Sequence, residues 1–207
     1  MIGYHATKKK NKESILNKGY FISKSNSYHH WLGDGIYFWE DSYYAVEWNI
    51  IDLEKIKPVT LKNMLANYII FEANIKDVRN KTIDLSSPKG TIIFNNFKAD
   101  IIECANNKQK EELKKIKDDV FWVNYMKEKG KFDKYDIVIA TYDKTIKKSE
   151  KDKKGFIKYK QTQICVKNND LIIKNIVYDD KEEIKLLYNA VKSNRCDKEK
   201  EVLIWGF

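Results

Sequence analysis

Trp31-Leu32-Gly33-Asp34-Gly35-Ile36-Tyr37-Phe38-Trp39-Glu40 is the stretch on which the fold is read. Residues 23–34 are polar and glycine-bearing, so they predict a loop, and Gly35 to Trp39 predict a short strand leaving it. Gly33-Asp34-Gly35 precedes the strand instead of following one, which excludes a Rossmann phosphate loop. Beyond the strand, Asp41 is placed to cap a helix reaching about Leu53, with Ala45, Trp48 and Leu53 on one side.

Working outward, residues 1–6 predict a first strand, with Thr7 as N-cap of a helix over 8–18 that Gly19 stops. Residues 67–75, 136–142, 163–167 and 171–177 are apolar and rich in β-branched or aromatic side chains, so they predict strands. Ile83 to Leu85 and Ile92 to Phe94 are weaker strand candidates. Leu113, Ile116, Val120 and Val123 recur at helical spacing and predict one helix over 107–128, closed by Gly130. Asp179 with Glu182 resembles a capping box, opening a helix with Ile184, Leu187 and Val191 on one face. Strands and helices do not alternate strictly, which predicts an α+β fold with a largely antiparallel core. No linker divides the 207 residues, so one domain is expected, with a helical insertion at 103–135 and a basic loop at 143–160. That loop holds eight lysines against three acidic residues.

The net charge of +9 favours an acidic partner such as nucleic acid, although a composition rich in Lys, Asn and Ile explains it equally well. Cys104, Cys165 and Cys196 are far apart, which argues against a disulfide framework. No signal-peptide pattern and no long apolar run is present, so a cytoplasmic protein without membrane contact is expected. P-loop, GxSxG and HExxH motifs are absent. His5, His29 and His30 lack a ligand spacing, so no metal is expected. Taken alone, His5 reads as a structural hydrogen-bonding residue. Tyr37 and Trp48 read either as core or as a clamp for a flat ring.

Tyr4-His5-Ala6-Thr7, the helix ending at Gly19, and Gly35-Ile36-Tyr37-Phe38 together resemble the motifs of the PARP-like, His-Tyr-type ADP-ribosyltransferases. The likeness leans toward bacterial and phage-associated mono-ADP-ribosyltransferases, and it covers about residues 1–50 and 159–168. It implies an ADP-ribosyltransferase fold, with two small, mostly antiparallel sheets around an NAD cleft. It implies NAD⁺ as co-substrate and a nucleic acid or protein as acceptor. A toxin or phage-conflict role and an inhibitory partner protein also follow from it. By the same resemblance His5 binds the adenosine ribose, the Ala6 backbone holds the nicotinamide amide, and Tyr37 and Trp48 sandwich the ring. Thr7, Gly35 and Ala45 complete the cofactor-binding set, and His5, Tyr37 and Gln163 the catalytic set.

Three positions depart from the pattern. Ala6 stands where the family has Gly, and Ala45 where it usually has Ser. Gln163 stands where it has a carboxylate, so the charge would have to come from elsewhere, for example from Glu40 or Glu47. Two other readings stay open: an inactive module of the same fold binding NAD⁺, ADP-ribose or RNA, and a basic RNA-binding protein.

Overall fold

The computed structural model describes residues 1–20, 32–78, 80–117, 119–144 and 159–204. His29, His30, Trp31 and most of the basic 143–160 segment lie outside them. The chain is α+β, with one seven-stranded mixed sheet in the order β4-β5-β6-β2-β1-β3-β7. The strands are β1 (Ile2–Lys8), β2 (Ile36–Trp39), β3 (Tyr68–Ile75), β4 (Thr82–Asp84), β5 (Ile137–Lys144), β6 (Tyr159–Val166) and β7 (Ile172–Val177). The helices are α1 (Lys12–Lys18), α2 (Ser42–Glu54), α3 (Leu61–Asn67), α4 (Pro88–Cys104), α5 (Asn107–Lys115), α6 (Asp119–Glu128) and α7 (Lys181–Ile204). Among the described residues only β4–β5 is parallel, so the expected antiparallel bias holds.

The expectation of two separate small sheets is corrected to one sheet whose two halves meet at a sparsely paired seam. The β1–β3 ladder runs from Ile2↔Asn74 to Lys8↔Tyr68, and the β2–β6 ladder from Ile36↔Val166 to Trp39↔Gln163. Between them, β1 and β2 pair only at Tyr4↔Trp39. The reason is steric. A Cβ on Gly3 would stand 2.8 Å from the Phe38 Cβ, so glycine allows the strands to close at that end. One residue beyond the bridge, the His5 ring occupies the seam and bonds the Tyr37 carbonyl.

Apolar side chains on the two sheet faces build three clusters. Ile36, Phe38, Phe71, Ile75, Ile137, Ile164 and Val166 fill one face together with Ile15 and Tyr20. On the other face, α2 and α7 cover Tyr4, Ala6 and Ile70, while α4 and α6 cover Val138, Ala140 and Cys165. Each fully buried Leu, Ile or Phe contributes about 1.5–3 kcal/mol. The predicted face of the C-terminal helix is found as expected, with Ile184 and Val191 buried and Leu187 packed on the same cluster.

Several local expectations are corrected. Thr7 does not cap a helix: β1 continues to Lys8, and Thr7 Oγ1 accepts from Asn11 Nδ2 at 2.9 Å. Residues 92–94 are helical, inside α4, where Ser87 caps and Pro88 takes the first turn. The single helix over 107–128 is two helices, because Ile116 turns extended and its carbonyl accepts from the buried Trp122 indole at 3.2 Å. Asp180, not Asp179, accepts from the Glu183 amide at the start of α7. The α3 helix, capped by Thr60, was not anticipated. Asp41 and Gly19 act as expected: Asp41 accepts from the Tyr43 amide, and Gly19 ends α1 at φ 78°.

Candidate functional site

Residues alternate between the two faces of a strand, so one register pair fixes every neighbour. Because Tyr4 faces Trp39, His5 shares a face with Phe38, and Tyr37 shares the opposite face with Trp39. The contacts agree. The His5 ring lies 4.9 Å from Tyr20, edge-on, and 5.6 Å from Phe38. The Tyr37 ring packs on the other side, against the cluster around Trp122 and Cys165. The structure therefore brings His5 and Tyr37 together through the seam and not on one face.

His5 Nδ1 lies 2.8 Å from the Tyr37 carbonyl oxygen. A carbonyl only accepts, so Nδ1 carries the hydrogen, and the neutral ring keeps Nε2 as an acceptor. Burial pushes the imidazole below its ordinary 6.5, and the bond to Tyr37 opposes this only in part. The unfolded chain thus takes up a proton from about pH 6.5 downward while the folded chain resists it. This contribution to stability is complete above the unfolded value and is lost as pH falls toward the folded one. Wild type should lose more Tm between about pH 7.5 and about pH 5.5 than His5→Gln does. Equal slopes in a thermal-melt series would show that His5 is not the group.

Tyr37 uses its hydroxyl to hold the loop before β2. It accepts from the Leu32 amide at 3.0 Å and donates to the Gly33 carbonyl at 2.9 Å. Burial raises the phenol pKa strongly. Beneath it, the Cys165 thiol is pushed up to about 12 by burial and donates to the same Gly33 carbonyl at 3.7 Å. Gly33 stands at φ 111°, a conformation that favours glycine. Gly33, Asp34, Phe132, Asp133 and Lys167 are among the residues lining an adjoining cavity of about 440 Å³. Gly35 serves packing: a Cβ there would stand 2.6 Å from Cys165 Sγ and 2.8 Å from the Val166 carbonyl.

The remaining candidates are spread around this seam. Ala6 pairs with Ile70 and packs under α2. Thr7 is buried beside Asn11, and Ala45 is fully buried in the α2 interface. Trp48 lies on α2, on the Tyr37 side of the sheet, but is 39% exposed and meets Tyr68 edge-on at 6.4 Å. Gln163 is half-buried, opposite Trp39 and Ala140, on the face of Tyr37.

Sequence reasoning missed the Leu32–Gly33 anchor, Cys165 and Tyr20. The anchor closes within six residues but belongs to no recognised motif, while Cys165 and Tyr20 act on partners far away in the sequence. Among the described residues, no three His, Cys, Asp or Glu side chains gather as a metal site. No described helix is long and apolar enough to cross a membrane.

No protein-family model matches the chain, and no solved structure matches it. A relative is found in the uncharacterized protein MJ0359 of Methanocaldococcus jannaschii. It is 30% identical over 209 residues, spanning 91% of this chain and 92% of that protein. With that identity sustained over nearly the whole of both chains, the protein belongs to the same family as MJ0359.

Proposed function

We propose that the chain binds NAD⁺ at the seam between β1 and β2 and acts as a mono-ADP-ribosyltransferase of the PARP-like kind. The observation that carries this reading is the single pairing of β1 with β2, after which His5 reaches the Tyr37 carbonyl across the seam. A dinucleotide bent around the open end of the seam, past the bond from His5 to the Tyr37 carbonyl, can meet the imidazole on one sheet face and the Tyr37 ring on the other. Nε2 of His5 would take a ribose hydroxyl, and the Ala6 backbone the carboxamide. The Tyr37 ring would take one face of the nicotinamide, with Trp48, exposed on α2, closing over the other. Such a site works by positioning and by electrostatics.

The nicotinamide C1′–N bond breaks with its electron pair leaving on nitrogen. A lone pair from the acceptor then bonds C1′, and the acceptor's proton passes to solvent. The net charge of +9 supports an acidic acceptor, a nucleic acid or a protein associated with one. A growth-inhibiting role, as toxin or phage-conflict effector, fits such a transferase.

Labelled NAD⁺ incubated with the protein and total cell extract tests the reading. Label in RNA, DNA or protein, with nicotinamide released and both lost in His5→Ala, is the expected result. The neutral Gln163 favours a second reading, a binding module of the same fold. A melting temperature raised by NAD⁺ without label or free nicotinamide would select it. A melting temperature indifferent to NAD⁺ would reject both.

A further inference from the structure

We propose that Glu47 supplies the carboxylate that Gln163 lacks, facing the anomeric carbon of bound NAD⁺ from α2. This rests on the NAD⁺ reading above. Two acids near the aromatic motif compete for the role, Glu40 and Glu47. Glu40 is exposed and lines a cavity of about 520 Å³ with Asp84, Ile139, Thr141, Thr162 and Ile164. Ile139 and Ile164 belong to the face of Phe38, so that cavity lies across the sheet from Tyr37 and Gln163.

Glu47 is different on every count. It is 6% exposed, an unusual state for a carboxylate. Tyr44, one turn earlier on α2, donates its hydroxyl to the Lys160 carbonyl at 2.9 Å, which turns this flank of the helix toward β6. Glu47 also acts on Tyr142: burial raises that phenol's pKa first, and the Glu47 charge raises it next. Tyr142 pairs with Gln161 across β5–β6, and Gln161 shares a sheet face with Gln163 two residues on. Glu47 is therefore turned toward the same strip of β5 and β6 that presents Gln163, on the side of Tyr37.

The chemistry needs such a charge. As the C1′–N bond breaks, positive charge develops on C1′ and the ring oxygen. A fixed negative group in a water-poor site stabilises it far more than a neutral amide does. The electron pair leaves with nicotinamide, the acceptor's lone pair closes the new bond, and Glu47 is unchanged at the end.

Nicotinamide release and NAD⁺ binding, the latter by calorimetry, are measured on wild type, Glu47→Gln, Glu47→Asp and Glu47→Gln combined with Gln163→Glu. Glu47→Gln is expected to bind NAD⁺ as wild type does and to release nicotinamide about 100-fold more slowly. Glu47→Asp, which keeps the charge but retracts it, should fall between. The added Gln163→Glu should restore most of the rate by returning the charge to the strand. A wild-type rate in Glu47→Gln overturns the proposal. So does a loss of rate that parallels lost binding and lost Tm and that Gln163→Glu does not rescue, since that is a structural role. Absence of NAD⁺ binding by the wild-type protein overturns the parent reading instead, and calorimetry separates that outcome from the others.

Discussion

Gly90→Ala is expected to lower stability by about 2–3 kcal/mol, a Tm loss of roughly 4–12 °C for a chain of this size. Helix propensity alone predicts the opposite sign, because Gly inside a helix is about 1 kcal/mol worse than Ala. Packing decides. Gly90 is buried in the first turn of α4, and a Cβ there would land on the carbonyl of Asp84, with the Leu85 Cα close behind. Those backbone atoms cannot retreat cheaply. The Asp84 carbonyl accepts from Ser87 Oγ at 2.6 Å, and the Leu85 amide donates to Ile139 at 2.8 Å, continuing the β4–β5 pairing. The Gly90 amide in turn donates to Ser87 Oγ at 3.0 Å. A methyl group therefore has to break the cap or the parallel strand pair. A circular-dichroism melt checks this, and a Gly90→Ala Tm at or above wild type would mean the helix can move off β4 freely.

The same helix shows where sequence reading reaches its limit. Pro88-Lys89-Gly90 followed by Ile92-Ile93-Phe94 looks like a turn leading to a strand, because glycine and proline punctuate and three apolar residues in a row fit β structure. In the structure Ser87 caps a helix there with proline in its first turn. Glycine sits there for a tertiary reason, the approach to Asp84, which no local pattern encodes. The break after Ile116 is similar: the spacing of Leu113, Ile116, Val120 and Val123 is continuous, yet Trp122 claims the Ile116 carbonyl. Strands 68–75, 137–144 and 172–177 were legible because they are rich in β-branched and aromatic side chains, and the α2 start because Asp41 is a strong cap.

The site divides along the same line. His5, Tyr37 and Gln163 stand out through the family resemblance, and the structure puts His5 and Tyr37 on either side of the β1–β2 seam and Gln163 one strand away on β6. Their faces could not be read. Alternation gives the phase within a strand, but the phase between β1 and β2 depends on one pairing, Tyr4↔Trp39. A slip of one residue would have put the imidazole and the phenol on the same face. Glu47 was visible in the sequence only as an acid on a helix; its burial depends on how α2 rolls against β6, which Tyr44, one turn earlier on the same helix, settles through its bond to the Lys160 carbonyl.

Tyr37→Ala should cut NAD⁺ turnover by about 100-fold or more, while Tyr37→Phe should keep it within about tenfold. The arithmetic separates the two roles of this side chain. Stacking on a nicotinamide ring is worth about 0.5–1.5 kcal/mol, at most about tenfold in rate. A 100-fold loss needs nearly 3 kcal/mol, so it requires misplacement of the bound ring as well as lost stacking. Removing the whole side chain does both, because the ring that would stack is gone and the space it leaves beside the Trp122 and Cys165 cluster lets β2 and the Leu32–Gly33 turn shift. Phenylalanine keeps the ring packed against the Cys165 side and loses only the two hydroxyl bonds, at a cost of about 1–2 kcal/mol in stability. If Tyr37 serves structure alone, both variants, assayed well below their melting temperatures, turn over NAD⁺ at similar rates, and any deficit tracks the loss of Tm. A Tyr37→Ala rate matching Tyr37→Phe would therefore remove this ring from the site even in an enzyme that uses NAD⁺.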